Sequence, residues 1–101
     1  MKEDQHTEFK RLWKDEFFRE LSAFANSQGG TLYIGVEDDG TIVGVKDAKS
    51  LLQDMPNKIK NNLGFLADVN LQTESDKEYI AIKVQPQEDG ISYDGKYYVR
   101  S

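Results

Sequence analysis

The chain has no cysteine, which excludes disulfides, thiolate metal sites and cysteine nucleophiles. Its single histidine, His6, argues against a histidine-rich zinc site or a Ser-His triad built within one chain. No apolar run approaches the ~20 residues of a membrane span. The first residues, Met1-Lys2-Glu3-Asp4-Gln5, are polar and lack the apolar core of a signal peptide. A cytoplasmic protein without membrane contact is the expectation. Positive charge is also short: Lys and Arg number 13 against 18 Asp and Glu, a net charge of −5. That balance argues against a protein that coats DNA, because phosphate neutralisation needs clustered Lys and Arg. A local basic patch on an acidic remainder is still compatible with it.

What is present is a globular composition, 38% hydrophobic and 31% charged, in 101 residues. That length gives one domain with one modest core. Phe9, Trp13, Phe17, Leu21 and Phe24 recur at helical spacing and would suit one long helix. Asp15-Glu16 reads instead as a cap with an acidic first turn, which favours a strand near 7–11 and a helix near 15–27. Gly29-Gly30 then ends the helix, since glycine takes positive φ without a Cβ clash. Leu32, Ile34 and Val36 alternate with Tyr33 and Gly35, the period of a strand with one buried face. Asp39-Gly40 signals a hairpin, with 41–45 as the returning strand.

Asp47 is placed to cap a helix carrying Leu51, Leu52 and Met55. Pro56 should interrupt that helix, with a continuation over 57–63 ended by Gly64. Phe65, Ala67, Val69 and Leu71 alternate as a strand, Glu74-Ser75-Asp76-Lys77 turns, and Ile80, Ile82 and Val84 alternate again. After a polar loop over 86–90, Asp94-Gly95 makes a second hairpin turn into 96–100. The sum is an α+β two-layer sandwich, a mostly antiparallel or mixed sheet of about five or six strands with two or three helices.

The string Ala23-Phe24-Ala25-Asn26-Ser27-Gln28-Gly29-Gly30-Thr31-Leu32-Tyr33-Ile34-Gly35-Val36-Glu37-Asp38-Asp39-Gly40, with Glu8-Phe9-Lys10 upstream, resembles the Schlafen-type AlbA domain. That domain occurs in prokaryotic transcriptional regulators and in eukaryotic Schlafen proteins, and the resemblance runs over nearly the whole chain. It implies that Glu-Phe-Lys lies on a strand. It also implies that residues 1–101 are one domain cut from the N-terminus of a longer protein, since members continue past the position of Arg100. Members often carry an ATP-binding label on account of a downstream domain. Gly29-Gly30 itself is no P-loop, because no Gly-Lys-Ser/Thr follows and a strand does.

The resemblance further implies a nuclease possibility. In the nuclease members two glutamates five positions apart join an aspartate from the strand after the Gly-Gly pair, and Glu3, Glu8 and Asp38 match those places. Converging carboxylates can hold Mg²⁺ or Mn²⁺, and such an ion can activate the oxygen that attacks a phosphodiester. The competing reading is solvated charge, with Glu8 paired to Lys10 and Asp38 serving the turn.

Three further readings come from the residues themselves. Lys10, Arg11 and Lys14 cluster beside Trp13, and Arg100 follows Tyr97-Tyr98; basic groups contact phosphate and aromatic faces stack bases. Asn26 is either a helix-end residue or a polar amide at the mouth of a cleft. Phe17 and Phe18, being adjacent, cannot share one helix face, which hints at a homodimer. The favoured function is therefore a nucleic-acid-binding module, DNA before RNA, of a transcriptional regulator, with no cofactor and no catalysis of its own. A metal-dependent endoribonuclease and a protein-interaction or dimerisation domain are the alternatives.

Overall fold

In the computed structural model, residues 2–100 are described. Four strands, β1 (Thr7–Lys10), β2 (Gly30–Ile34), β3 (Asp68–Glu74) and β4 (Lys77–Val84), form one sheet in the order β1-β2-β4-β3. β1 runs parallel to β2, and the other neighbours are antiparallel. Two helices, α1 (Phe18–Ala25) and α2 (Ala48–Leu63), cover one sheet face. A short hairpin, β5 (Ser92–Tyr93) and β6 (Lys96–Tyr97), stands apart from that sheet. The α+β class holds, and the six strands divide as four plus two.

The core explains the alternation. Leu32 and Ile34 from β2 and Ile80, Ile82 and Val84 from β4 pack against Leu21 and Phe24 of α1 and against Met55 and Ile59 of α2. The opposite sheet face carries the residues of the other parity. There Phe9, Tyr33 and Tyr79 form a row of rings with centroids 5.9 and 6.3 Å apart.

Several local expectations give way to topology. The segment 41–45 does not form the strand expected to return beside β2. Both hydrogen-bonding edges of β2 are already taken by β1 and β4, so only Val36 and Ile42 meet as an isolated bridge. The chain turns at Gly35 (φ 99°) and Gly44 (φ 78°), and the Val45 amide donates to the carbonyl of Glu78 at the start of β4, 2.8 Å away. Val36 is buried, although outside both β2 and the main core cluster.

Helix 1 opens with a 3-10 turn over Asp15–Phe17, and Lys14, not Asp15, holds its N-cap. The Asp15 carboxylate is drawn off by the Trp13 indole N–H at 2.7 Å and Lys58 Nζ at 2.8 Å. Pro56 does not interrupt α2. Proline denies the helix one amide donor, but Leu51, Met55, Ile59 and Leu63 bury a continuous stripe at i+4 spacing that holds the helix through it. Asp47 stands at the N-cap of α2 without a side-chain cap bond, while Gly64 closes its end at φ 83°. β3 starts only at Asp68, because buried Phe65 is spent on anchoring the approach from α2. Beyond Tyr97 the final segment leaves β6 for α1 and does not stay in a strand to residue 100.

The β3–β4 turn gives a direct test of backbone strain. Ser75 (φ 50°) and Asp76 (φ 64°) both occupy the left-handed region, as a two-residue hairpin turn matching strand twist demands. Replacing Ser75-Asp76 with Asn-Gly should stabilise the domain by about 0.5–1 kcal/mol, by relieving that strain. A higher urea midpoint with unchanged slope is the expected result.

Candidate nucleic-acid interface and acidic pair

The parallel pairing of β1 with β2 places Glu8 opposite Leu32 and Lys10 opposite Ile34, on the face that meets α1. Glu8 is therefore largely shielded from water. Its Oε1 accepts from Arg100 Nη1 at 2.9 Å, and its Oε2 lies 3.5 Å from Lys10 Nζ. The Glu3 Oε2 accepts the Phe9 amide at 2.8 Å, which folds the N-terminal segment back along β1.

The two glutamates lie close enough for each to shift the other's titration. Partial burial, the neighbouring Glu8 side chain and the charge of Asp38 raise the Glu3 pKa, outweighing the Phe9 amide. Burial would also raise that of Glu8. The Arg100 hydrogen bond and the Glu3 side chain, with the charges of Lys10 and Arg100, reverse this and pull it below the ordinary glutamate range. Glu3 thus holds the proton more readily, and Glu8 stays a carboxylate. Asp38 is exposed in the turn after β2 and adds to the field at Glu3.

Whether the three acids suit a divalent ion depends on what already holds their oxygens. Both Glu8 oxygens face a basic side chain, and one Glu3 oxygen is bound by a backbone amide. Among the described residues no three His, Asp or Glu side chains are disposed to share one metal ion. In this arrangement the residues do not fit the ion that the nuclease possibility requires.

Arg100 and Asn26 turn out to be tied down. Arg100 Nη1 also donates to Glu20 Oε2 at 3.1 Å, Nη2 to the Asp4 carbonyl at 2.7 Å and Nε to the Gln5 carbonyl at 3.2 Å. Its guanidinium stacks 4.7 Å above the Phe24 ring, and its amide donates to Ser27 Oγ at 2.8 Å. Asn26, at the end of α1, donates through Nδ2 to the Ile91 and Tyr98 carbonyls at 2.7 and 2.9 Å and accepts the Ile91 amide at 2.7 Å. All its capacity except one acceptor position is engaged in holding residues 91–98. The partly buried Phe17 and the buried Phe18 both pack against this domain's own core or its margin, with Trp13 edge-on to each.

The basic cluster divides in two. Lys10 is built in, 4.4 Å above the Phe17 ring and beside Glu8. Lys14 is exposed, and Arg11 pairs at 2.9 Å with Glu37 across open solvent. An exposed pair of this kind contributes about 0–1 kcal/mol, so Arg11 exchanges partners readily. Sequence reading missed two companions. Arg11 and Lys46 line one cleft of about 520 Å³, and Lys46 and Lys77 line the adjoining one of about 590 Å³. The loop 43–46 is the shared wall, carried there by the Val45–Glu78 hydrogen bond. No local signal marks Lys46 or Lys77, since their proximity depends on that loop crossing to β4.

The fold recurs in solved structures. One is the N-terminal domain of a DNA helicase RecG-related protein from Nitrosomonas europaea, with a TM-score of 0.77 at 22% identity, covering 100% of this chain and 81% of that one. Another is the DIP2311 protein from Corynebacterium diphtheriae, with a TM-score of 0.72 at 21% identity. That match covers 88% of this chain, which spans only 19% of the DIP2311 protein. No helix among the described residues is long and apolar enough to cross a membrane. The mixed four-stranded sheet with its two helices is thus a recurring fold. Residues 3–101 match the family described as Schlafen, AlbA_2, and the chain belongs to it.

Proposed function

We propose that this domain binds nucleic acid, DNA before RNA, through Arg11, Lys14 and Lys46, as the N-terminal module of a transcriptional regulator. The observation that carries the reading is the convergence of Arg11 and Lys46 on one cleft, with Lys14 exposed on the neighbouring loop. Three cations on adjoining loops suit successive phosphates, and exposed Leu12 beside them offers an apolar contact. Family membership supports a nucleic-acid role, and the likeness to the N-terminal domain of a DNA helicase-related protein is in line with DNA. The reading uses no metal and leaves the Glu3–Glu8 pair as an internal feature. With a net charge of −5 the chain as a whole repels a polyanion, so affinity must come from this local patch.

The test is binding to duplex DNA by fluorescence anisotropy over a salt series. Replacing Arg11, Lys14 and Lys46 together by Ala should weaken binding about equally across sequences. It should also flatten the slope of log K against log salt by about 2–3, at ~0.9 per lost phosphate contact. Lys10→Ala should act on stability instead. An unchanged slope in the folded triple variant would overturn the proposal and favour an interaction or dimerisation domain.

A further inference from the structure

Glu8 meets two cations of its own chain, and one of them is attached to the far end of the domain. Arg100 is 92 residues away in sequence, yet its guanidinium bridges Glu8 and Glu20 while also binding the Asp4 and Gln5 carbonyls. Four donor contacts and a stacked ring fix that group in place, with only 17% of the side chain exposed. It sits against the Glu8 carboxylate, which stays ionised despite its burial because the Arg100 hydrogen bond and the neighbouring cations favour the charged form. A metal ion approaching Glu8 therefore meets the guanidinium at Oε1 and the ammonium of Lys10 at Oε2.

We propose that Arg100 is the resident cation of Glu8, a positioning residue that keeps divalent ions off the Glu3–Glu8 pair and, through Glu8 and Glu20, docks residues 91–100. Two consequences follow. An ion can reach Glu8 only by displacing Arg100, which also breaks the Glu20, Asp4 and Gln5 contacts. Ion binding and docking of residues 91–100 are then antagonistic, each weakening the other by the same factor. Glu8, one of the acids that resemble a catalytic set, acts in this chain with Glu20 as a clasp for Arg100. This inference does not rest on nucleic-acid binding, and its test contains none.

The test is titration of the protein with MnCl₂ alone, followed by paramagnetic broadening of backbone amide NMR signals. In the parent, amides near Glu3, Glu8 and Asp38 should broaden no more than those near exposed acids such as Glu88 and Asp89. In Arg100→Gln the amides near Glu3 and Glu8 should broaden selectively, with an apparent Mn²⁺ affinity at least about tenfold above the parent's. Glu20→Gln loosens Arg100 without touching Glu8 and should move affinity in the same direction, which keeps the test decisive if Arg100→Gln does not fold. Selective broadening at Glu3 and Glu8 in the parent, with the Arg100 side-chain signal unmoved, would overturn the proposal. So would a folded Arg100→Gln or Glu20→Gln variant with no gain in affinity.

Discussion

Gly30→Ala should destabilise the domain by about 3 kcal/mol or more, lowering Tm by about 10–20 °C. Gly30 opens β2 where α1 lies closest to the sheet. A Cβ added there would stand 2.4 Å from Cδ1 and Cε1 of Phe24 and 2.8 Å from the His6 carbonyl oxygen. Phe24 is fully buried among core neighbours and cannot swing aside, and the carbonyl belongs to the segment entering β1. The clash must separate α1 from β2 or β1 from β2. Gly95→Ala is the matched control. Gly95 has φ 76° but nothing within 4 Å of the added carbon, so only the left-handed strain of about 1–2 kcal/mol applies. Thermal unfolding of both variants checks the pair. Equal losses would mean that backbone conformation, and not packing under Phe24, is what makes Gly30 necessary.

That close approach shows what was legible in the chain. Gly29-Gly30 was readable as a helix exit because conformational freedom is a property of the residue itself. Leu32 and Ile34, Ile80 and Ile82, and the Asp94-Gly95 turn were readable because two-residue alternation and positive-φ turns are decided over a few neighbours. The segment 41–45 was not. Its composition suits a strand, but its place depends on β1 and β4 having filled both edges of β2. Pro56 misled in the same way, because the cost of one missing amide donor is local and the buried stripe from Leu51 to Leu63 that outweighs it is tertiary.

The candidate site divides along the same line. Glu3 and Glu8 were found by resemblance, and each shifts the other's titration. The pairing of Glu8 with Lys10 was legible from their two-residue spacing on one strand face, but its contact with Arg100 spans 92 residues, which no spacing encodes. Lys46 and Lys77 escaped notice because each is an ordinary exposed lysine until the 43–46 loop sets them on neighbouring clefts. Arg100 and Asn26 stand out in the sequence as candidate nucleic-acid contacts near aromatics and glycines. Their partners are carboxylates and carbonyls of the same chain.

Asn26→Asp should release the C-terminal segment while leaving the four-stranded sheet in place. The amide of Asn26 supplies two donors, to the Ile91 and Tyr98 carbonyls, and one acceptor, for the Ile91 amide. Aspartate keeps the acceptor, loses both donors and sets a negative charge against two carbonyl oxygens. Each carbonyl left unpaired costs about 1–1.5 kcal/mol, so the segment should lose about 3 kcal/mol with the added repulsion. The effect is local because residues 91–98 pack through β5 on α1 and α2, whereas β1 to β4 are held by their own ladders and by both helices. Hydrogen exchange is the measurement. The Arg100 amide, which donates to Ser27 Oγ, should exchange about 100-fold faster, since 1.4 kcal/mol is one factor of ten. The amides of β2 and β4 should change by less than about threefold. Loss of the docked segment also frees Arg100 from Glu8, so the Glu8 pKa should rise in the variant as its cation departs. Were Asn26 instead a ligand-facing amide, Asn26→Asp would weaken DNA binding by charge repulsion and leave the exchange of residues 91–100 as it was. The three hydrogen bonds into that segment make faster exchange the expected outcome.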